Sequence, residues 1–215
     1  MSNPTGATES SSTILRRYTN LAATIHHLET KSITLLDPGS WDDRNDTFFL
    51  DRYKCRVNAK SVLALCFSKA SQTYHHWKVF ADRGDGICIE FRKEQLLKEI
   101  KGNDGYEFGE VSYKTIDEIR SYPPHTDDLP FLKRIPYRDE QEYRIVFVEM
   151  DEYAEFKQVN IGLDSIRRIN LSPWMPKALA ESVKRALKSI EGCENMEVYR
   201  STLIENETWK KAAKF

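Results

Sequence analysis

The 215 residues are 40% hydrophobic and 30% charged, enough apolar side chain for one compact core, so the mean hydropathy of -0.59 reflects a dense charged surface rather than disorder. With 32 basic and 33 acidic residues the net charge is -1, which excludes a global basic field for nucleic acid and leaves only a local patch around Arg167, Arg168, Lys177, Lys184, Arg185 and Lys188. Cys55, Cys66, Cys88 and Cys193 lack the close spacing of a zinc or redox site, no stretch approaches a transmembrane length, and residues 1–12 lack the apolar run of a signal peptide; the expectation is a cytoplasmic protein without metal or membrane.

Residues 1–12 are polar and read as a disordered tail, with one domain over 13–215. The alternation in "TILRRYT" predicts a strand, and "NLAATIHHLETKSI" a helix capped by Asn20 with Leu21, Ile25 and Leu28 as its buried stripe. "SITLLDPGSWDDRND" predicts a short strand running into a loop, turned at Pro38 and Gly39. "SVLALCFS" is apolar on both faces, as a central strand is, and ends at Ser68. "QTYHHWKVFADR" predicts a helix burying Tyr74, Trp77, Phe80 and Ala81, and "ICIEF" a second buried strand. "RKEQLLKEI" follows as a helix, then "YEFGEVSYK" as one strand with a bulge at Gly109. The consecutive prolines of "SYPPHTDDLP" require a loop. "YRDEQEYRIVF", "AEFKQVNIG", "IRRINL" and "MEVYRSTL" predict four more strands, with a helix between the last two that starts at Ser172 and Pro173 and buries Leu179, Val183, Leu187 and Ile190. The mixture is α+β, strand-rich, with short helices.

Polar residues gather at strand ends. Arg17 and Tyr18 lie on the first strand, Asn45 and Asp46 in "WDDRND", Ser68 at the end of "ALCFS", Trp77 and Phe80 on the next helix, and Glu140 and Glu142 at the start of a late strand. Side chains at i and i+2 share a strand face, so Glu140, Glu142 and Arg144 are expected on one side, with Tyr143, Ile145 and Phe147 on the other. Two carboxylates on one face repel unless they are solvated or have a task. "WDDRND" lacks the Gly and distal Glu of a calcium loop, and "GDG" has the wrong order for a dinucleotide loop. An arginine, a hydroxyl, aromatic faces and a carboxylate pair in one cleft suit a nucleotide-sugar substrate with a good leaving group.

The segments "LRRYTNL", "ITLLDPGSWDDRND", "LALCFS", "HHWKVFADRGDGICIEF" and "YRDEQEYRIVF" resemble the bacterial domain-of-unknown-function 2971 family. They are also similar to a divergent ADP-ribosyltransferase of the Arg-Ser-Glu type. That resemblance implies a split, twisted β-sandwich with short flanking helices and NAD, as substrate, in a central cleft. It implies Arg17 for the Arg motif, with Arg16 the competitor. Of the Ser-Thr-Ser motif Ser68 alone carries over, and Glu140 and Glu142 match the Glu-x-Glu. Arg17, Tyr18, Ser68, Trp77 and Phe80 would then hold NAD, Glu142 would support the breaking sugar–base bond, and Glu140 would serve the acceptor. The implied setting is modification of a protein or nucleic acid by a toxin or phage-defence effector, with an antitoxin as a partner; NAD hydrolysis and a non-catalytic binding module are the alternatives.

Overall fold

A computed structural model describes residues 13–81 and 84–213; the expected tail over residues 1–12 lies outside them. Strand β1 (Ile14–Asn20) runs straight into helix α1 (Leu21–Thr30), which Asn20 caps by accepting the Ala23 N–H at 2.8 Å. Lys31 ends α1 in the left-handed region (φ 50°) and β2 (Ser32–Leu36) follows. The expected loop through "WDDRND" is instead the start of a helix, α2 (Arg44–Val57), capped by Asp43 and closed by Asn58 at φ 57°. Only Asp46, Leu50 and Tyr53 of that helix are buried, so the narrow stripe hides within a charged sequence.

Next come β3 (Ser61–Ser68), α3 (Tyr74–Phe80), β4 (Gly86–Arg92) and α4 (Lys93–Ile100). Residues 82 and 83, the tail of the expected third helix, lie outside the described residues. "YEFGEVSYK" divides into β5 (Tyr106–Glu110) and β6 (Ser112–Lys114), with Val111 between them donating its N–H to the Glu142 carbonyl at 3.0 Å. Gly109 sits in unbroken register opposite Arg144 and makes no bulge; a Cβ there would lie 2.8 Å from the Phe131 ring, so close approach is what requires glycine. The chain continues through α5 (Ile116–Ser121), β7 (Leu132–Arg134), β8 (Glu142–Glu149), β9 (Phe156–Asn160), β10 (Ile166–Leu171), α6 (Lys177–Lys188), β11 (Val198–Arg200) and α7 (Glu207–Ala212). Helix α6 starts after Pro176, later than Ser172 and Pro173 suggest, and its buried stripe is Ala180, Val183 and Leu187, leaving Leu179 exposed.

The fold is mixed α/β around a large sheet in the order β11-β10-β4-β1-β3-β2-β9, with β8 paired to β3 and β5. Its halves meet weakly. β1 pairs along its whole length with β4, and β3 along its whole length with β8, but β1 and β3 share the single register pair Arg16 and Ser68. One face packs the main core: Leu28 of α1, Leu96 and Ile100 of α4, and Val183 and Leu187 of α6 lie against Leu15, Leu65, Phe67, Ile89 and Ile145. The other face carries two separate apolar clusters. Leu50 and Tyr53 of α2 cover Val62, Ala64 and Val146, while Trp77 and Ala81 cover Tyr18 and Cys88. The strip between those clusters is polar, and the two halves of the sheet join there.

Candidate active site

Register alone gathers the strip. Arg168 of β10 faces Glu90 of β4, Glu90 faces Arg16 of β1, Arg16 faces Ser68 of β3, and Ser68 faces Glu142 of β8. Directly paired residues share a face, so the five side chains form one row across five strands. Ser68 and Glu142 are therefore neighbours, and the arginine beside Ser68 is Arg16, the competitor, rather than Arg17. Arg17 is one residue on and points to the opposite face, where its Nη1 donates to the Cys66 carbonyl at 3.1 Å. Burial lowers the pKa of that guanidinium.

Glu140 is not on the strand. It ends a 3₁₀ turn (Ile135–Glu140), and Gln141 at φ 44° turns the chain into β8. Alternation therefore does not bring Glu140 to Glu142; Lys133 of β7 does, donating to Glu140 Oε2 at 2.7 Å and to Glu142 Oε2 at 3.2 Å. The other Glu142 oxygen accepts from Arg144 Nε at 2.8 Å. Arg144 is fully buried and also grips Asp46 of α2 through both terminal nitrogens, at 2.9 and 2.8 Å, while Nη1 donates to the Pro130 carbonyl at 2.8 Å. The Trp41 ring lies 5.1 Å from the Arg144 guanidinium carbon. Asp46, Lys133 and Arg144 thus complete a cluster that the pair of glutamates only hints at. The available signals were Arg144 inside an apolar strand, a buried charge that demands a partner, and Asp46 one turn into a capped helix.

The two glutamates titrate in opposite directions. Burial pushes Glu142 up, but Arg144 and Lys133 outweigh it and hold its pKa at about 2. Burial raises Glu140 above the usual carboxylate range, with Lys133 opposing. Burial likewise raises Asp46, against the pull of Arg144.

Ser68 Oγ donates to the Glu140 carbonyl at 2.7 Å and accepts from the Ala70 N–H at 3.1 Å, so it pins the turn before β8 to the end of β3. Arg16 crosses the junction to donate to the Ala70 carbonyl at 2.9 Å and to Glu90 at 3.3 Å. Tyr18, two residues along β1 on the same face, is buried, and its hydroxyl has no hydrogen-bond partner among the described residues. Burial raises its pKa, and the Cys88 thiol opposite it adds to the effect. Trp77 is fully buried, its ring centre 5.4 Å from that of Tyr18 with the two planes nearly perpendicular, and its Nε1 donates to Gln72 at 3.1 Å. It fills core beneath Tyr18, whereas Phe80 is 43% exposed and borders the same ring at 6.1 Å.

No family model matches the chain, and no curated protein matches it. Three solved structures of DarT from Thermus sp. 2.9 are similar to it over most of their length. The complex with ADP-ribosylated ssDNA is 9% identical, covers 90% of this chain and 96% of its own, and has a TM-score of 0.48. The complexes with carba-NAD+ and with NAD+ are each 10% identical, cover 90% of this chain and 97% and 98% of their own, and have TM-scores of 0.47. A likeness of this degree assigns no role to any side chain. Among the described residues no group of His, Cys, Asp and Glu is placed to hold a metal ion, and no helix is long and apolar enough to cross a membrane.

Proposed function

We propose that the chain is an NAD-dependent ADP-ribosyltransferase with its chemistry at the Ser68 and Glu142 end of the row. The observation that supports it is the register that makes Arg16, Ser68 and Glu142 neighbours on one face, where the two halves of the sheet share a single residue pair. The residues present fit such a substrate in two ways. Tyr18 keeps an unpartnered hydroxyl on this face, and the two glutamates are driven to opposite protonation behaviour within one cation's reach.

Bound NAD supplies an ADP-ribosyl group whose bond to nicotinamide breaks to leave a neutral base. Glu142, ionised at neutral pH, is suited to stabilise positive charge building at the anomeric carbon. Glu140, whose pKa is raised, is suited to take the proton from the attacking hydroxyl or amine of the acceptor. Lys133 holds both carboxylates and must yield part of that hold when substrate enters. Ser68 fixes the turn that carries Glu140, and Arg16 fixes the loop after β3. The acceptor is a macromolecule, protein or nucleic acid, and we place the protein in the cytoplasm as a toxin or defence effector held in check by an antitoxin.

Incubation with labelled NAD and cell lysate tests this. Wild type is expected to release nicotinamide and label a macromolecule, and Glu142→Gln to lower the rate by about 10²–10³-fold at a temperature well below its own melting transition, where it is folded. Free ADP-ribose as the sole product would mean that water is the acceptor. One observation favours a second reading, a binding module without catalysis: both Glu142 oxygens are already taken, by Arg144 and Lys133. That reading predicts no nicotinamide release from any lysate and no stabilisation by NAD, where a ligand at one hundred times its dissociation constant adds about 2.7 kcal/mol.

A further inference from the structure

Strands β6 and β7 form a two-stranded sheet of their own, apart from the large one. Their register sets Tyr113 opposite Lys133, so both side chains leave the same face of the ribbon. Both end on Glu142. Lys133 donates to its carboxylate at 3.2 Å, and the Tyr113 hydroxyl accepts its backbone N–H at 2.8 Å. The proposed chemistry gives Lys133 a part and leaves Tyr113 without one.

The hydrogen bonds of that phenol do not close within the protein. A phenol has one O–H to donate and lone pairs to accept with. The Glu142 N–H takes a lone pair and leaves the O–H, and among the described residues nothing accepts it. Tyr53 shows the ordinary arrangement, its hydroxyl donating to Glu107 at 2.5 Å. Tyr113 lies near two carboxylates, but Lys133 and Arg144 hold those. Burial pushes the Tyr113 pKa up, and the charges of Glu142 and Glu140 push it further, against the Glu142 N–H and Lys133. The hydroxyl therefore keeps its proton at neutral pH. The side chain is only half-buried, so the acceptor it needs comes from outside the protein.

Glu142 and Tyr113 require opposite things of a ligand. An ionised carboxylate only accepts, and Arg144 and Lys133 leave each Glu142 oxygen a second lone pair. The phenol, its oxygen engaged, donates. A vicinal diol answers both, one hydroxyl donating and its neighbour accepting. We propose that Tyr113 is a further substrate-binding residue, its hydroxyl donating to the 3′-oxygen of the nicotinamide ribose while the 2′-hydroxyl donates to Glu142. The β6–β7 ribbon then reads the sugar beside the bond that breaks. This assignment rests on the transferase reading and adds to it the requirement for an intact diol.

Titration calorimetry of the whole chain tests it, with carbocyclic NAD, whose bond to nicotinamide is stable, and with the same analogue lacking the 3′-hydroxyl beside nicotinamide. Wild type is expected to bind the deoxy analogue about tenfold more weakly, the worth of one hydrogen bond. Tyr113→Phe keeps the ring and is expected to bind the parent analogue about tenfold more weakly, yet to bind the two ligands alike. A phenol that only accepts the Glu142 N–H would leave that discrimination in place, so a variant that still tells the ligands apart overturns the assignment. Equal binding of the two ligands by wild type overturns it without recourse to a variant. Nicotinamide release from NAD by wild type separates these failures from that of the transferase reading. Where release occurs they concern Tyr113 alone, and where neither release nor binding is seen both readings fall.

Discussion

At the β8 end of the row three carboxylates, Asp46, Glu140 and Glu142, share two cations, Lys133 and Arg144; at the β10 end three arginines share Glu90. The two clusters sit on the same face of the same sheet and are built in opposite ways, cations set among carboxylates at one end and a carboxylate set among arginines at the other. They also differ in depth. The Arg144 and Asp46 side chains are 0% and 1% exposed, whereas those of Arg167 and Arg168 are 31% and 32% exposed. A surplus carboxylate beside buried guanidinium suits charge developing on a bound sugar. The difference also says where the molecule is brittle, because a buried ion left without its partner is far more costly than one that can turn to water.

The largest break comes from Arg144→Met. It leaves Asp46 without its two-pronged partner and strips one oxygen of Glu142, both deep under α2. Removing one partner of a buried pair costs about 3–5 kcal/mol, so urea unfolding is expected to move by that much. A change under 1 kcal/mol would mean that the cluster is wetter than its burial indicates.

Acid sharpens the contrast within the β8 end. Glu142 has a folded pKa of about 2, below its ordinary 4.5, so its contribution is complete above pH 4.5 and is lost as pH falls toward 2. The shift corresponds to stability on the order of 3 kcal/mol. Asp46 and Glu140, both raised, act in the opposite sense and take up protons more readily in the folded protein. The acid limb of wild type is therefore expected to be shallower than Glu142 alone would give, and flatter still in Glu142→Gln. An unchanged limb in that variant would assign the acid sensitivity to Glu90, which its arginines hold below the usual range against burial.

Those clusters mark where the sequence was legible and where it was not. Strand β3 and strand β10 occupy the residues expected of them, since runs such as "SVLALCFS" and "IRRINL" permit little else. Ser68 and Glu142 stand where the sequence placed them, one ending a strand and the other beginning one. Choosing between Arg16 and Arg17 needs the β1 to β3 register, a long-range property invisible to alternation within one strand. Helix α2 was missed because its buried positions are few and one of them is Asp46. Glu90 passed unnoticed inside "ICIEF", although a carboxylate between Ile89 and Phe91 in a buried strand requires cations nearby, and they come from residues 74 to 78 positions away.

Glu90→Gln probes the β10 end. The substitution leaves Arg16 its two carbonyl partners and lets Arg167 and Arg168 turn to water, so the loss is expected to be about 1.5–3 kcal/mol, less than at Arg144. Equal costs at the two ends would erase the contrast in depth.

The smallest effect belongs to the residue between the clusters. Tyr18 buries a hydroxyl with no partner among the described residues, and its ring packs against His76, Trp77 and Phe80. Tyr18→Phe keeps that packing and removes a group that has already lost its water, so unfolding is expected to shift by less than about 0.5 kcal/mol, or toward greater stability. A hydroxyl kept for folding would make its removal costly; one kept for a ligand makes removal harmless until that ligand is present. Nicotinamide release by Tyr18→Phe is therefore expected to need more NAD for half-maximal rate, with the melting transition unchanged. A destabilised variant with unaltered NAD dependence would return Tyr18 to the core and leave the row with charged groups and one serine.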